Sequence, residues 1–287
     1  MMSNLIIDVS VHLSDQSAKT AQSNWDRPLL NRVHTKHTFG SDPISLDEQI
    51  KHMDAAGITA ALLVATKVGR LGLEGSWHVD PEVILAATKK YPKRFFGLVG
   101  IDPFSGMNGV RELEKYVLEH GFVGAHVIPH WFGMSPDDER LFPFYAKCLE
   151  LDIPIQIHIG SALIHTKSQQ LVSSASPTSL DEIAYTMPFL KMVATNSGWP
   201  WVEELVSASN KHENIYVVVD KHPVSSLGWP LLNYIKSWGT NRVLFGADFP
   251  SRKYQEVLAE IESLDLPEKA KPRLFAQNAI DLYKLPL

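Results

Sequence analysis

The 287-residue chain contains a single cysteine, Cys148. One cysteine excludes an internal disulfide framework and a cysteine-rich zinc site. Because Cys148 lies in an apolar segment with helical periodicity, we expect a buried and unreactive thiol. The sequence therefore does not favour cysteine as a catalytic nucleophile.

Long apolar runs and blocks of basic residues are also missing. No segment approaches the roughly 20 apolar residues that span a bilayer, and residues 1–5 lack the features of a signal peptide. Acidic and basic residues are interspersed, with a net charge of −5, which favours neither nucleic acid nor a membrane as a partner. We expect a cytoplasmic protein that binds a small molecule. Its seven tryptophans leave room for an apolar contact surface, and hence for a homo-oligomer.

The turn after the first apolar segment reads His12-Leu13-Ser14-Asp15 and has no glycine, which argues against a dinucleotide-binding open sheet. Short apolar segments recur along the chain, and between them apolar residues are spaced three or four positions apart, as in helices. The segments predicted to be strands are 5–12, 58–65, 95–102, 122–129, 153–160, 192–198, 215–222 and 243–250. The helical segments include 45–56, 81–90, 109–120, 136–151, 201–211 and 253–263. This alternation predicts an α/β fold, a single (β/α)8 TIM-barrel domain over residues 1–287.

In such barrels the active site is assembled where the strands end. The most informative strand end is Gly246-Ala247-Asp248-Phe249-Pro250, because Asp248 closes the last predicted strand. A carboxylate there is placed for metal binding or proton transfer, although a turn or N-cap aspartate before a proline is the alternative. Asp102 and Asp220 also lie near strand ends. Asp102 precedes a proline as in a turn, and Asp220 has Lys221 beside it as a pairing cation.

Two predicted loops on the same rim, 13–43 and 161–177, are unusually long. Long loops in a compact domain usually carry function. The first contains Trp25 and Arg27, and the second contains His165. These residues predict an aromatic wall and a cationic clamp for an acidic substrate.

Several segments resemble the amidohydrolase-related (family 2) barrels. They are Ile7-Asp8-Val9-Ser10-Val11-His12, Gly124 to Pro129, Pro154 to Gly160, Gly198 to Glu204, Val243 to Pro250 and Gln277 to Tyr283. They occur in the family's order along essentially the whole chain, and Gly-Ala-Asp-Phe-Pro is the most specific. The subgroup that the chain most resembles contains aminocarboxymuconate semialdehyde decarboxylase, aromatic-acid decarboxylases and small lactone hydrolases. The resemblance implies an enzyme that acts on a small organic acid.

The resemblance also implies a metal site. The family places two histidines on strand one, one on strand five, one on strand six and an aspartate on strand eight. Here His12, His158 and Asp248 match, whereas Ser10 and Asn196 replace two of the histidines. A serine hydroxyl and an amide are poor ligands for zinc or manganese. Three protein ligands can still hold a catalytic metal, so a divalent-metal site and a metal-free site both stay open.

Asn196 removes a proton shuttle, since an amide is neither an acid nor a base near neutral pH. Asp248 is then expected to be the principal proton-transfer residue, with His158 and Asn196 completing the catalytic group. Four further histidines are expected to contact substrate, although for each one a structural hydrogen-bonding role is the alternative. They are His126, His130, His165 and His222.

Three functions follow from these residues. In the favoured one, a hydrolase, Asp248 activates the water that attacks a lactone or amide carbonyl, and the histidines stabilise the oxyanion. The alternative is a non-oxidative decarboxylase of an aromatic or muconate-like acid. In that reaction Asp248, with a raised pKa, protonates the carbon that loses carbon dioxide. The third is a degenerate barrel that binds a small acid without turning it over.

Overall fold

The computed structural model describes residues 5–23, 25–26, 43–168 and 170–287. Within these ranges eight parallel strands form one sheet, and neighbours in the chain are neighbours in the sheet. They are β1 (Ile7–Val11), β2 (Ala60–Val64), β3 (Phe95–Gly100), β4 (Gly124–Val127), β5 (Ile155–His158), β6 (Met192–Thr195), β7 (Ile215–Val219) and β8 (Val243–Phe245). Each strand lies inside a segment that the sequence predicted.

The sheet closes where β8 returns to β1. The backbone N–H of His12 donates to the carbonyl of Phe249 at 3.0 Å, and Val11 and Phe249 form a parallel bridge. The Asp8 carboxylate accepts the N–H of Ala247 at 3.0 Å. These bonds join the first and last strands, so the predicted (β/α)8 barrel is confirmed.

Strand β1 is irregular between Asp8 and Val11, where its pairing with β2 shifts by one residue. Asp8 fixes this bulge, because its Oδ1 also accepts the N–H of Ser10 at 2.9 Å. A bulge can re-aim the side chains that follow it. Ser10 and His12 both line the cavity at the barrel mouth.

Helices surround the barrel. They are α1 (Gln16–Gln22), α2 (Leu46–Ala56), α3 (Pro81–Lys90), α4 (Gly106–His120), α5 (Phe142–Glu150), α6 (Thr178–Thr186), α7 (Val202–Lys211), α8 (Gly228–Lys236) and α9 (Tyr254–Glu262). The chain ends with Ala270–Pro272, a π-helical turn over Arg273–Gln277, and Asn278–Tyr283. Local sequence sets several of these bounds. Ser45 and Glu48 form a capping box before α2, and Asp80 caps α3 ahead of a proline.

The helix predicted over 136–151 is shorter in the structure. Asp138 accepts the N–H of Arg140 and caps a 3-10 turn at Glu139–Leu141, so α5 begins at Phe142. Cys148 lies on the buried face of α5, and burial raises the pKa of its thiol. Within the described ranges, no helix is both long and apolar enough to cross a bilayer.

Candidate active site

A cavity opens at the carboxyl ends of the barrel strands. It brings together residues that are far apart in the sequence. From the predicted set, it is lined by His12, Trp25, His126, His158, Asn196 and Asp248. Ser10, Thr66, Asp220 and Lys221 also line it. The carboxyl rim therefore gathers these side chains as expected for a barrel enzyme.

Three consecutive strands end in a strained backbone conformation. Asn196 follows β6 with φ 63°, Lys221 lies two residues after β7 with φ 56°, and Asp248 lies three residues after β8 with φ 56°. Left-handed conformations cost roughly 1–2 kcal/mol in residues other than glycine, and asparagine and aspartate tolerate them best. Lys221 has no such tolerance. Strain kept at three neighbouring strand ends is typical of a functional site.

His12 connects β1 to the end of β8. Its Nε2 lies 3.7 Å from Asp248 Oδ1, and its Nδ1 lies 3.0 Å from the Thr66 hydroxyl. Burial lowers the pKa of His12, the negative charge of Asp248 opposes this effect, and the positive charge of Lys221 adds to it. The imidazole is thus held neutral and oriented between a hydroxyl and a carboxylate.

Asp220 is a second carboxyl in the cavity and is almost completely buried. Its Oδ1 has no hydrogen-bond partner within the described part of the chain. Burial, and next the negative charge of Asp248, raise the pKa of Asp220 to about 7, while a hydrogen bond with Ser10 lowers it. Gly246 permits this approach, because a Cβ there would lie 2.9 Å from the Asp220 Cβ and 3.0 Å from the Ser10 Cβ.

The sequence suggested a pairing role for Asp220, but the structure shows no ion pair between it and Lys221. The sequence named Asp220 only as a secondary strand-end carboxylate, and it gave no role in the cavity to Lys221, Thr66, Trp77 or Trp131. For Asp220 and Lys221 the signal was their position at the end of the Val-rich β7. Burial and the left-handed turn at Lys221 decide their placement, and neither is visible in the residue pattern.

His158 ends β5 and is held by Asn196. The Asn196 amide nitrogen contacts both ring nitrogens of His158 and lies 3.0 Å from Nδ1. The His130 ring packs edge-on against the His158 ring, with centroids 4.5 Å apart. Burial lowers the pKa of His158 well below its ordinary value, and the neighbouring His130 and Lys221 add to this effect. His158 is therefore a neutral imidazole.

The other predicted histidines differ in their placement. His126 lines the cavity with its ring centroid 6.0 Å from that of His12, and burial lowers its pKa to about 3. His130, His165 and His222 are not among the lining residues. His130 lies against His158, and His222 stacks on Trp199 at 5.2 Å. Substrate contact by these three stays a prediction.

The two long loops meet above the cavity. Trp25–Asp26 pairs antiparallel with His165–Thr166, and His165 Nδ1 lies 2.8 Å from the Thr166 carbonyl. Arg27, the predicted clamp, lies outside the described residues. The described segments of the loops after β1 and β5 are thus joined by backbone pairing.

Tryptophans form one wall of the cavity. The Trp25 ring lies 5.0 Å from Trp131 and 6.4 Å from Trp77, centroid to centroid, and all three line the cavity. The Trp25 indole N–H donates to the Gly75 carbonyl at 2.7 Å. Gly75 has φ 74°, and a Cβ there would lie 2.6 Å from Thr166 Cγ2, so glycine is required. The wall suits a flat apolar ligand.

The donor set does not fit the metal site that the resemblance implied. Ser10 offers only a hydroxyl to the cavity, and the Asn196 amide nitrogen is directed at the ring nitrogens of His158. Within the described ranges, no three histidine, cysteine or carboxylate side chains are grouped so that they could hold a metal ion. Replacement of two imidazoles by a hydroxyl and an amide accounts for this difference.

Restoring the missing imidazoles tests this explanation. We expect the double variant Ser10→His, Asn196→His to retain close to one zinc per chain after dialysis, and the wild type to retain far less, since lost ligands loosen a site. Elemental analysis of the double variant and of each single variant measures the effect. Equal zinc content in the wild type and the double variant would show that the two replacements do not govern metal binding.

A family model described as Amidohydrolase matches residues 7–285 of the chain. The chain belongs to the amidohydrolase family. Its curated relatives include 2-amino-3-carboxymuconate-6-semialdehyde decarboxylase of Dictyostelium discoideum, 24% identical over 70% of this chain and 64% of that protein. Gamma-resorcylate decarboxylase of a Polaromonas species is 21% identical over 83% of this chain and 87% of that protein.

A third relative carries a different activity. It is 2-keto-4-carboxy-3-hexenedioate hydratase of a Sphingobium species, 29% identical over 36% of this chain and only 33% of that protein. Among solved structures, 5-carboxyvanillate decarboxylase of Novosphingobium aromaticivorans, complexed with manganese and a nitrobenzoic acid, has a TM-score of 0.71 at 18% identity. The alignment covers 98% of this chain and 96% of that one. This amidohydrolase therefore shares its fold with a metal-binding carboxy-lyase.

Proposed function

We propose that this amidohydrolase is a non-oxidative decarboxylase of a small aromatic or similarly unsaturated acid. The observation that carries the proposal is the carboxyl pair in the tryptophan-walled cavity. Asp248 is held in a left-handed turn, and Asp220 beside it has a pKa raised to about 7. Similarity to two decarboxylases supports the same reaction class.

Loss of carbon dioxide from an aromatic acid has two chemical requirements. The carbon that carries the carboxylate must accept a proton, and the electron pair of the breaking carbon–carbon bond must return to the ring. One proton enters, one carbon dioxide leaves, and no oxidant or reductant is consumed. A positioned acid next to that carbon supplies the proton, and a dry cavity favours escape of the uncharged product.

The residues of the cavity match these requirements. Asp248 is the group that we propose transfers the proton, and His12 fixes its position from 3.7 Å away. Asp220, with a pKa raised to about 7, is partly protonated near neutral pH, so the carboxyl pair holds a proton for transfer. Trp25 and Trp131 offer flat faces on which an aromatic ring can stack.

The sequence favoured hydrolysis over decarboxylation, and that preference is now reversed. The same Asp248 could activate water, so the sequence pattern does not distinguish the two reactions. The relatives that match over most of this chain are carboxy-lyases. Decarboxylation is therefore the better supported function.

A carbon dioxide release assay tests the proposal. Purified protein is incubated with 2,6-dihydroxybenzoate, 5-carboxyvanillate and 2-pyrone-4,6-dicarboxylate, and both released carbon dioxide and ring-opened product are measured. We expect carbon dioxide and the decarboxylated phenol from a hydroxybenzoate. Opening of the pyrone without carbon dioxide release, and no turnover of either hydroxybenzoate, would contradict the proposal.

A further inference from the structure

Lys221 is the only lysine or arginine among the described residues that line the cavity. It lies between the buried Asp220 and His222 and is itself half-buried. Its backbone adopts the left-handed conformation, with φ 56°. A long side chain with no local reason to take this conformation is kept there by its surroundings, which indicates a use for its ammonium group.

The two buried lysine and arginine side chains among the described residues are paired with carboxylates. Lys67 bonds to Glu112, and Arg252 lies 2.6 Å from Glu260. Lys221 forms no ion pair with a carboxylate in the described part of the chain, although its charge acts on the neighbouring Asp220. Its ammonium group therefore has hydrogen-bond donors available for a ligand carboxylate.

Among the described lining residues the other basic side chains are three imidazoles, those of His12, His126 and His158. An ammonium group forms a stronger, charge-assisted hydrogen bond to a carboxylate than an uncharged imidazole does. Lys221 is therefore the described lining residue best suited to bind an anion.

We propose that the Lys221 ammonium binds the carboxylate of the ligand and provides the positive charge that a metal ion provides in metal-binding relatives. The inference rests on the proposed function for the class of ligand, an aromatic acid. It explains how a cavity in which Ser10 and Asn196 replace two imidazoles can still hold an anion. It also assigns a role to a residue for which the resemblance has no counterpart.

Calorimetric titration with 2,6-dihydroxybenzoate tests the inference, because it measures the affinity of each protein for the acid. It is run on the wild type and on variants whose folding is verified by circular dichroism. We expect Lys221→Met to weaken binding roughly 10-fold or more, since a charge-assisted hydrogen bond is lost. Lys221→Arg should stay within a few-fold of wild type. Methionine and arginine must adopt the same left-handed backbone conformation at position 221 as lysine, so backbone strain is similar in the wild type and both variants. Lys253→Met removes the same charge from an exposed position near the rim and should change nothing.

Two further titrations separate the effect of the ligand's charge from the effects of its shape and of a bound metal ion. The uncharged 2,6-dihydroxybenzamide should bind wild type and Lys221→Met equally, and EDTA should leave wild-type binding of the acid unchanged. Equal affinity of wild type and Lys221→Met for the acid, absence of binding to wild type, or dependence on added manganese would each overturn the inference. Binding that depends on Lys221 without carbon dioxide release would refute the proposed reaction but leave this inference standing.

Discussion

Asp248→Asn is expected to reduce turnover by about 10²–10⁴, the usual loss when a general acid–base group is removed. The substitution keeps the size of the side chain, and asparagine tolerates the left-handed backbone that Asp248 adopts. Folding should therefore be preserved while proton transfer is lost. Steady-state rates of carbon dioxide release measure the effect, and the thermal melting temperature reports folding.

Asp102→Asn is a matched control for this variant. Asp102 also lies near a strand end, but its carboxylate accepts the N–H of Phe104 at 2.9 Å in a 3-10 turn, and it does not line the cavity. Its substitution should leave the rate within about two-fold of wild type, because asparagine can cap the same turn. If Asp248→Asn were within a factor of about three of wild type, the proton-transfer role would pass to Asp220, and Asp220→Asn would identify it.

Asp8 is expected to make the protein less stable as the pH rises. The residue is fully buried, and burial raises the pKa of its carboxyl from 3.8 to about 8. Between these pH values the folded state binds a proton that the unfolded state has lost. The free energy of unfolding should therefore fall by on the order of 1 kcal/mol per pH unit and level off above pH 8. Asp220 adds to this trend up to about pH 7.

Asp8→Asn should remove the Asp8 contribution. The amide oxygen can accept the same two N–H groups, from Ser10 and Ala247, that the carboxylate accepts. We expect similar stability at pH 5 and a gain of roughly 1–3 kcal/mol at pH 8, measured by urea unfolding. Asp8→Ala leaves both N–H groups without an acceptor and should lose about 1–3 kcal/mol at pH 5. Parallel stability curves for wild type and Asp8→Asn across this pH range would contradict the assignment.

Much of the barrel could be predicted from the sequence because its strands are covered on both faces. Segments such as Met192–Thr195 and Ile215–Val219 are apolar without interruption, and such runs are typical of parallel strands. The sequence predicted that the sixth and eighth strands extend beyond their observed ends. At Asn196 and Asp248 the backbone instead adopts the left-handed conformation. Those turns depend on tertiary packing, so the residue pattern cannot reveal them.

The contacts within the cavity were harder to predict. The position of His12 and Asp248 at the mouth follows from strand order alone. The side chains of Ser10 and Asp220 approach each other from β1 and β7 over Gly246, and this approach depends on the missing side chain of the glycine. The role that we propose for Lys221 depends on the absence of an ion-pair partner for it among the described residues, which only the folded structure reveals. Sequence patterns indicate which residues reach the rim, and burial and pairing decide what each residue does there.

In the proposed reaction this amidohydrolase replaces a carboxylate on carbon by a proton. The most direct measurement is NMR of the product formed from a turned-over hydroxybenzoic acid in deuterium oxide. Decarboxylation predicts one deuterium on the carbon that lost carbon dioxide, in one equivalent per carbon dioxide released, and loss of this signal in Asp248→Asn. A product that retains its carboxylate and carries no deuterium at that carbon would rule out the proposed decarboxylation.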